Sequence, residues 1–507
     1  MISSISKSSG LFPTAPAPDP DRRRAWFSFA LPAIMAFILA LVPIIGKAAI
    51  VPIFLILVPL VLWNAFRDTE RALYLYVAWC WIDGVIRGLL NQDPVSIVAR
   101  DLVLGIIVVG WGFQRLLNRG TDPLRCPPGT LLVALFTANC LLQFFNPYSL
   151  GIVQSIAGLK LHLSAIPLVF LGYDIIRRRE QVRNLFVFLT LATLVIGLLS
   201  FVQYYEGSIW TWSHYPGTKE VISQRLHATQ IGGTISASAS FKPPGATGFG
   251  GGTGAFIALV FPLTLVLPLL SERLHFSKSA KICFAGILLA FSIIIFINGL
   301  RSALVIAAVG VISCCFLVGG LLRTRMIVAV LFCLVLATIA YTLSQGLSGG
   351  GVTDRFSSTI SDPVTALHQD RKTFFDDAVF IVVHAPIGVG LGRVGAAAGR
   401  LGNSGKDLGF TAGSEAYLGS IMYETGIIGG ILIASIALSY LALSYRVLNG
   451  LTNLDDRLMA TAVTAVLLVI SINFLATPIL MGPPGSVLFW LLGGVSLRVF
   501  APKAKTL

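Results

Sequence analysis

The chain has 507 residues, 55% hydrophobic and only 12% charged, with a mean hydropathy of +0.83. A soluble protein of this length cannot bury so large an apolar share, so the composition excludes a water-soluble domain and makes the bilayer the solvent. The formal net charge of +14 does not point to nucleic acid, because basic loops on a membrane protein chiefly set orientation.

Residues 1–25 are rich in Ser and Pro, end in Arg22, Arg23 and Arg24, and read as a disordered cytoplasmic N-terminus. No small-residue cleavage site follows at signal-peptide distance, so the first apolar run is expected to be a retained helix. A spanning helix needs roughly 20 apolar residues. About fourteen segments qualify, beginning near Phe27, Ala48, Leu73, Val95, Gly129, Leu161, Asn184, Gly251, Ile282, Ser302, Met326, Ala416, Leu458 and Ser486. Residues 26–500 therefore read as one all-α polytopic membrane domain, and 501–507 as a cytoplasmic tail.

An even number of spans puts both ends on one side. On that side fall Arg67 and Arg71; Arg115, Arg119 and Arg125; Arg177, Arg178, Arg179 and Arg183; Arg273, Lys278 and Lys281; Arg323 and Arg325; Arg446 and Arg457; and Lys503 and Lys505. The short connections opposite carry chiefly Lys47, so the basic side is expected to be cytoplasmic. Two long segments then face outward. Residues 206–250 contain Trp210, Trp212, Tyr215 and the Gly-rich "SFKPPGATGFGGGTG" with Lys242. Residues 345–415 contain "DRKTFFDDAVFIVVH", whose spacing predicts a helix stopped by Pro386. All cysteines but Cys126 lie in apolar runs and none forms a CxxC pair, so neither a disulfide framework nor a zinc site is expected.

Several cations sit where orientation logic would exclude them. Arg301, in "INGLRSALVIAAVG", lies between two apolar runs with almost no loop, a costly place for a guanidinium unless it meets an anion or water. Lys160, in "GLKLHLSAIPLVFLG", sits at the outer start of a helix with His162 two residues on. Arg87 and Arg100 flank the outer ends of the third and fourth segments, and Asp83, one turn before Arg87, predicts a structural ion pair. Together these cations suit a lipid phosphate or diphosphate, which Arg grips in a bidentate manner; the plain alternative is a rim snorkelling to headgroups. In the larger segment Arg371 opens the amphipathic stretch, Arg355 lies upstream, and His384 precedes "APIGVGLG" as a base or a structural residue. That glycine pattern has no preceding strand to make it a dinucleotide loop, and the chain has no phosphate loop of the GK[ST] type.

Four stretches, in order, resemble the O-antigen ligase and polymerase superfamily, and within it the bacterial exopolysaccharide polymerases. They are "GLKLHLSAIPLVFLGYDIIRRREQVRNLF", "SFKPPGATGFGGGTGAFIALVFPL", "NGLRSALVIAAVG", and "RKTFFDDAVFIVVHAPIGVGLG" followed by "SEAYLGSIMYETGIIGG". They cover roughly Gly158 to Ile436, more than half of the chain. The resemblance implies a GT-C-like, metal-independent glycosyltransferase without cofactor in the bacterial inner membrane, its active site facing the periplasm. The implied donor is an undecaprenyl-diphosphate-linked oligosaccharide; a chain-length regulator and a flippase are the implied protein partners. Carried over, Arg301 and Arg371 hold the diphosphate with Lys160 as helper.

Ligases of this superfamily have a His eleven residues before the position of Gly426; here that position is Glu415. The departure favours a polymerase, with Glu415 as general base on the acceptor hydroxyl. A helix-start carboxylate favouring the positive dipole end is the alternative for Glu415, and Ser414 is an equally good cap by type. Two other functions stay open: a ligase that transfers finished glycan, and a secondary transporter or flippase. Against the latter, the sequence displays no pair of broken helices.

Overall fold

The computed structural model describes residues 27–38, 50–90, 94–117, 126–215, 243–245, 252–270, 277–319, parts of 323–342, 381–394, 416–475 and 477–500. Among these the chain is 84% helical and has no strand, consistent with an all-α membrane protein. The helices are α1 (Phe27–Ile38), α2 (Ile50–Arg67), α3 (Thr69–Leu89), α4 (Pro94–Leu117), α5 (Thr130–Phe144), α6 (Ile152–Leu163) and α7 (Pro167–Ile175). They continue with α8 (Arg179–His214), α9 (Gly252–Val266), α10 (Lys278–Asn298), α11 (Arg301–Val318), α12 (Tyr417–Asn449), α13 (Leu454–Asn473) and α14 (Gly485–Val499). Among the described residues six helical stretches are long and apolar enough to cross a membrane: α3, α6 with α7, α8, α9 with its 3-10 extension, α10 and α12. Helical residues coincide with each of the predicted segments, but the other stretches do not meet that measure.

Helix α9 is the central post. It packs against α8, α10, α11 and α13 and is buried on nearly every side, as expected for a helix that is apolar all round. Single polar bonds tie neighbouring helices: Trp81 Nε1 to Thr193 Oγ1 at 2.9 Å, Thr190 to Thr264 at 2.8 Å and Ser200 to Asn298 at 3.3 Å. In lipid each such bond contributes on the order of 0.6 kcal/mol, so their main effect is to set register. Outward-facing Trp63, Leu117, Leu131, Phe145, Ile282 and Phe316 are exposed, an apolar surface suited to hydrocarbon.

Helix starts follow local chemistry. Asp68 caps α3, Ser277 caps α10, and Asn453 caps α13, accepting from the Asp455 N–H at 2.9 Å. Asn453→Ala is expected to lower stability by about 1 kcal/mol, read as an earlier thermal transition of the detergent-purified protein. Pro167 ends α6 and begins α7, so the pair forms one bent stretch from Ile152 to Ile175.

Two features differ from the sequence reading. Lys160 lies in the last turn of α6, because the helix begins at Ile152 and not near Leu161. Helix α8 continues to His214 past a break at Gly207, so Trp210 and Trp212 sit on a helix rather than in a loop. Trp210 stacks on His214 at 4.3 Å and Tyr215 is buried, so these rings pack on one another.

Each described ion pair joins residues assigned to the same end of the bundle. Asp174 holds Arg115 and Arg177, and Arg179 meets Asp456 at 2.6 Å, all at the end expected to be cytoplasmic. The pairs of Asp83 and Asp101 join residues expected at the other end.

Candidate functional site

Helices α3, α4 and α6 bring three cations and two carboxylates together. Asp83, with a side chain 2% exposed, takes Arg87 at 2.8 Å and Arg100 at 3.3 Å. Asp101 takes Arg100 at 3.1 Å and Lys160 at 2.6 Å. The expected Asp83–Arg87 pair is present, but Asp83 also reaches a residue on the next helix. Three cations on two carboxylates leave one net positive charge. A ligand phosphate here would have to compete with Asp83 and Asp101 for donors already engaged.

A second site lies on the other face of α6. His162 Nε2 and Glu424 Oε2 are 2.8 Å apart and both side chains are fully buried. Glu424 Oε1 accepts the Val394 N–H at 2.8 Å, and the Tyr417 hydroxyl lies 3.5 Å from His162 Nδ1. Two residues beyond Glu424, α12 is interrupted at Gly426, with φ 76° and ψ 177°. That conformation is essentially reserved for Gly and frees backbone groups that must bond elsewhere.

Segment 381–394 fills the break. The Val389 N–H donates to the Tyr423 carbonyl at 3.0 Å, the Gly390 N–H to that of Glu424 at 3.2 Å, and the Ile427 N–H to that of Pro386 at 3.0 Å. From α5 and the turn after it, Gln143 donates to the Ile387 carbonyl at 2.6 Å and Asn146 to that of Gly388 at 3.1 Å. Arg393 donates to the Tyr148 carbonyl at 3.1 Å. At Gly392 the backbone runs so close to α6 that a Cβ would lie 2.1 Å from the Gln154 carbonyl oxygen.

No family model matches this chain, and no curated protein matches it significantly.

The predicted residues divide by location. Glu415, Arg371, Arg355 and Lys242 lie outside the described residues, as does Ser414. Arg301 opens α11 two residues after Gly299, whose left-handed φ of 61° ends α10, with Leu300 between them; its side chain is outside the described part. His384 is exposed at the end of the helical turn 381–384, two residues before Pro386. Lys160, Arg87 and Arg100 share the first cluster. Among the described residues, no three His, Cys, Asp or Glu side chains converge as metal ligands would.

Sequence reasoning passed over Glu424, although a signal existed. A carboxylate eight residues into the apolar run that follows Ala416, in "IMYETGIIGG", is expensive in a membrane and marks function by default. Its partner His162 is 262 residues away, beyond any local pattern.

Proposed function

We propose that the chain is a polymerase that joins undecaprenyl-diphosphate-linked oligosaccharide repeats into a long polysaccharide at the periplasmic face of the inner membrane. The observation that carries the reading is contact between the stretches that resemble the superfamily. "GLKLH" on α6 touches "APIGVGLG" and "YETGIIGG", and Gly254 of the Gly-rich stretch lies against Asn298 and Ala303 beside Arg301. Stretches far apart in sequence thus meet pairwise.

In the reaction, an acceptor hydroxyl attacks the anomeric carbon of the donor and the lipid diphosphate leaves. Glu415 takes the hydroxyl proton, while Arg301 and Arg371 stabilise the negative charge that grows on the diphosphate, with Lys160 adding to the field. Glu415→Gln, Arg301→Ala and Arg371→Ala are each expected to abolish long polymer while the protein still reaches the membrane. The measurement is elongation of purified lipid-linked repeats in proteoliposomes; normal chain-length ladders in all three variants would sink the reading. Lipid-linked repeats supplied alone also separate polymerase from ligase, because only the polymerase lengthens them.

A secondary transporter is the second reading, favoured by one observation. Helices α8 and α12 are both interrupted, at Gly207 and Gly426, where the sequence had displayed no broken pair. The two breaks differ among the described residues: no atom stands where a Cβ at Gly207 would point, whereas residues 386–387 stand there at Gly426. Solute accumulation in proteoliposomes without lipid-linked sugar would favour transport.

A further inference from the structure

Glu424 has no exposed surface, and both its oxygens are engaged, one by His162 and one by the Val394 N–H. A group so placed does not touch substrate; it acts through what it holds. Among the described residues, the apolar cluster that anchors what it holds is small. Ile381, Ala385, Val389, Val394 and Tyr423 form a small buried cluster separate from the main core. Among the described residues, hydrogen bonds also join the segment to α12 and to residues 143–148, and its backbone at Gly392 lies against α6. Charge-assisted bonds exceed neutral ones by roughly twofold, so the buried Glu424 carboxylate and the exposed Arg393 guanidinium are the strong ties at this junction, and Glu424 is the one shielded from water.

We propose that Glu424 is a positioning residue. With His162 it clamps segment 381–394 between α6 and the break in α12, which fixes where exposed His384 stands and where the chain enters at Ile381 and leaves at Val394. The imidazole suits this role: with Nε2–H donated to Glu424, Nδ1 is left to accept from the Tyr417 hydroxyl. The consequence for catalysis rests on the polymerase reading, whereas the clamp itself does not.

The test pairs an activity-free readout with turnover. Hydrogen–deuterium exchange of peptides spanning 385–394 is measured on full-length protein in lipid nanodiscs, beside elongation of lipid-linked repeats. Glu424→Ala is expected to speed exchange in that segment by about tenfold or more while peptides of α13 and α14 keep their protection. It is expected to lower kcat by about 100-fold with the donor KM within roughly threefold, since the lost contact is remote from ground-state binding. Glu424→Gln preserves an acceptor for Val394, and its NH2 can donate to His162 Nε2 once the imidazole takes the Nδ1–H tautomer and donates to the Tyr417 oxygen, so it is expected to restore exchange and kcat to within roughly fivefold of the parent.

Unchanged exchange in Glu424→Ala overturns the clamp. A Gln variant with parental exchange but the turnover of the Ala variant also overturns it, because the carboxylate would then act through its charge. Exchange as expected with no elongation even by the parent upholds the clamp and removes the polymerase reading instead. If Glu424→Ala does not reach the membrane, His162→Ala decides by the same measurements, with faster exchange expected and unchanged exchange overturning the proposal.

Discussion

Gly426→Ala is expected to disrupt the docking of segment 381–394 and to cost about 2–6 kcal/mol of stability. Two independent effects add here. The backbone at Gly426, with φ 76° and ψ 177°, lies in a region other residues rarely enter, which contributes on the order of 1–3 kcal/mol. The new methyl would also stand 2.6 Å from the Ile387 carbonyl carbon and 2.7 Å from the Pro386 carbonyl oxygen, both backbone atoms that cannot swing aside. Overpacking of that kind costs a further 1–3 kcal/mol or so. The expected readings are an earlier thermal transition in detergent and loss of exchange protection at Val389, Gly390 and Ile427. A parental transition together with intact protection would show that the break in α12 does not need glycine.

Asp83→Ala is expected to be as damaging, by about 3–5 kcal/mol, because breaking a buried pair strands the surviving charges. Arg87 and Arg100, with side chains 22% and 12% exposed, would both lose their shared carboxylate, and Asp101 could compensate only Arg100. The protein is expected to reach the membrane in lower yield and to unfold at lower temperature. Replacing the group as a whole, with Asp83→Leu, Arg87→Met and Arg100→Met together, is expected to recover most of that stability, since apolar isosteres avoid desolvating ions. Asp83→Ala with a parental transition would mean that water satisfies these guanidinium groups and that the cluster contributes nothing to the fold.

The helical segments were legible because hydropathy reports the solvent a segment meets, and α3, α9, α10 and α12 lie close to where their apolar runs begin. The Asp83–Arg87 pair was legible too, since spacing of one helical turn puts both on one face. Three ties were not: Arg100 to Asp83, Lys160 to Asp101 and Glu424 to His162 join different helices, and no period in the sequence encodes which helices touch. The end of α8 misled for another reason. Glu206 to His214 mixes polar and aromatic residues as an outer loop does, yet aromatics at a membrane boundary are also compatible with a continuing helix. In the candidate site, attention fell on Glu415 at the edge of the apolar run, whereas Glu424, nine residues on, is the carboxylate on which α6, α12 and segment 381–394 converge.

Lys160 and His162 stand two residues apart on α6, about 3 Å along its axis, yet one binds Asp101 of α4 and the other Glu424 of α12. A shift of α6 as a rigid body displaces both contacts together, because so short a span of helix cannot stretch between them. A ligand that only swings the flexible Lys160 side chain away from Asp101 leaves the backbone, and with it the seat of His162, where it was. Two residues of helix thus separate a contact that can be exchanged by side-chain rotation from one that cannot be moved without the helix.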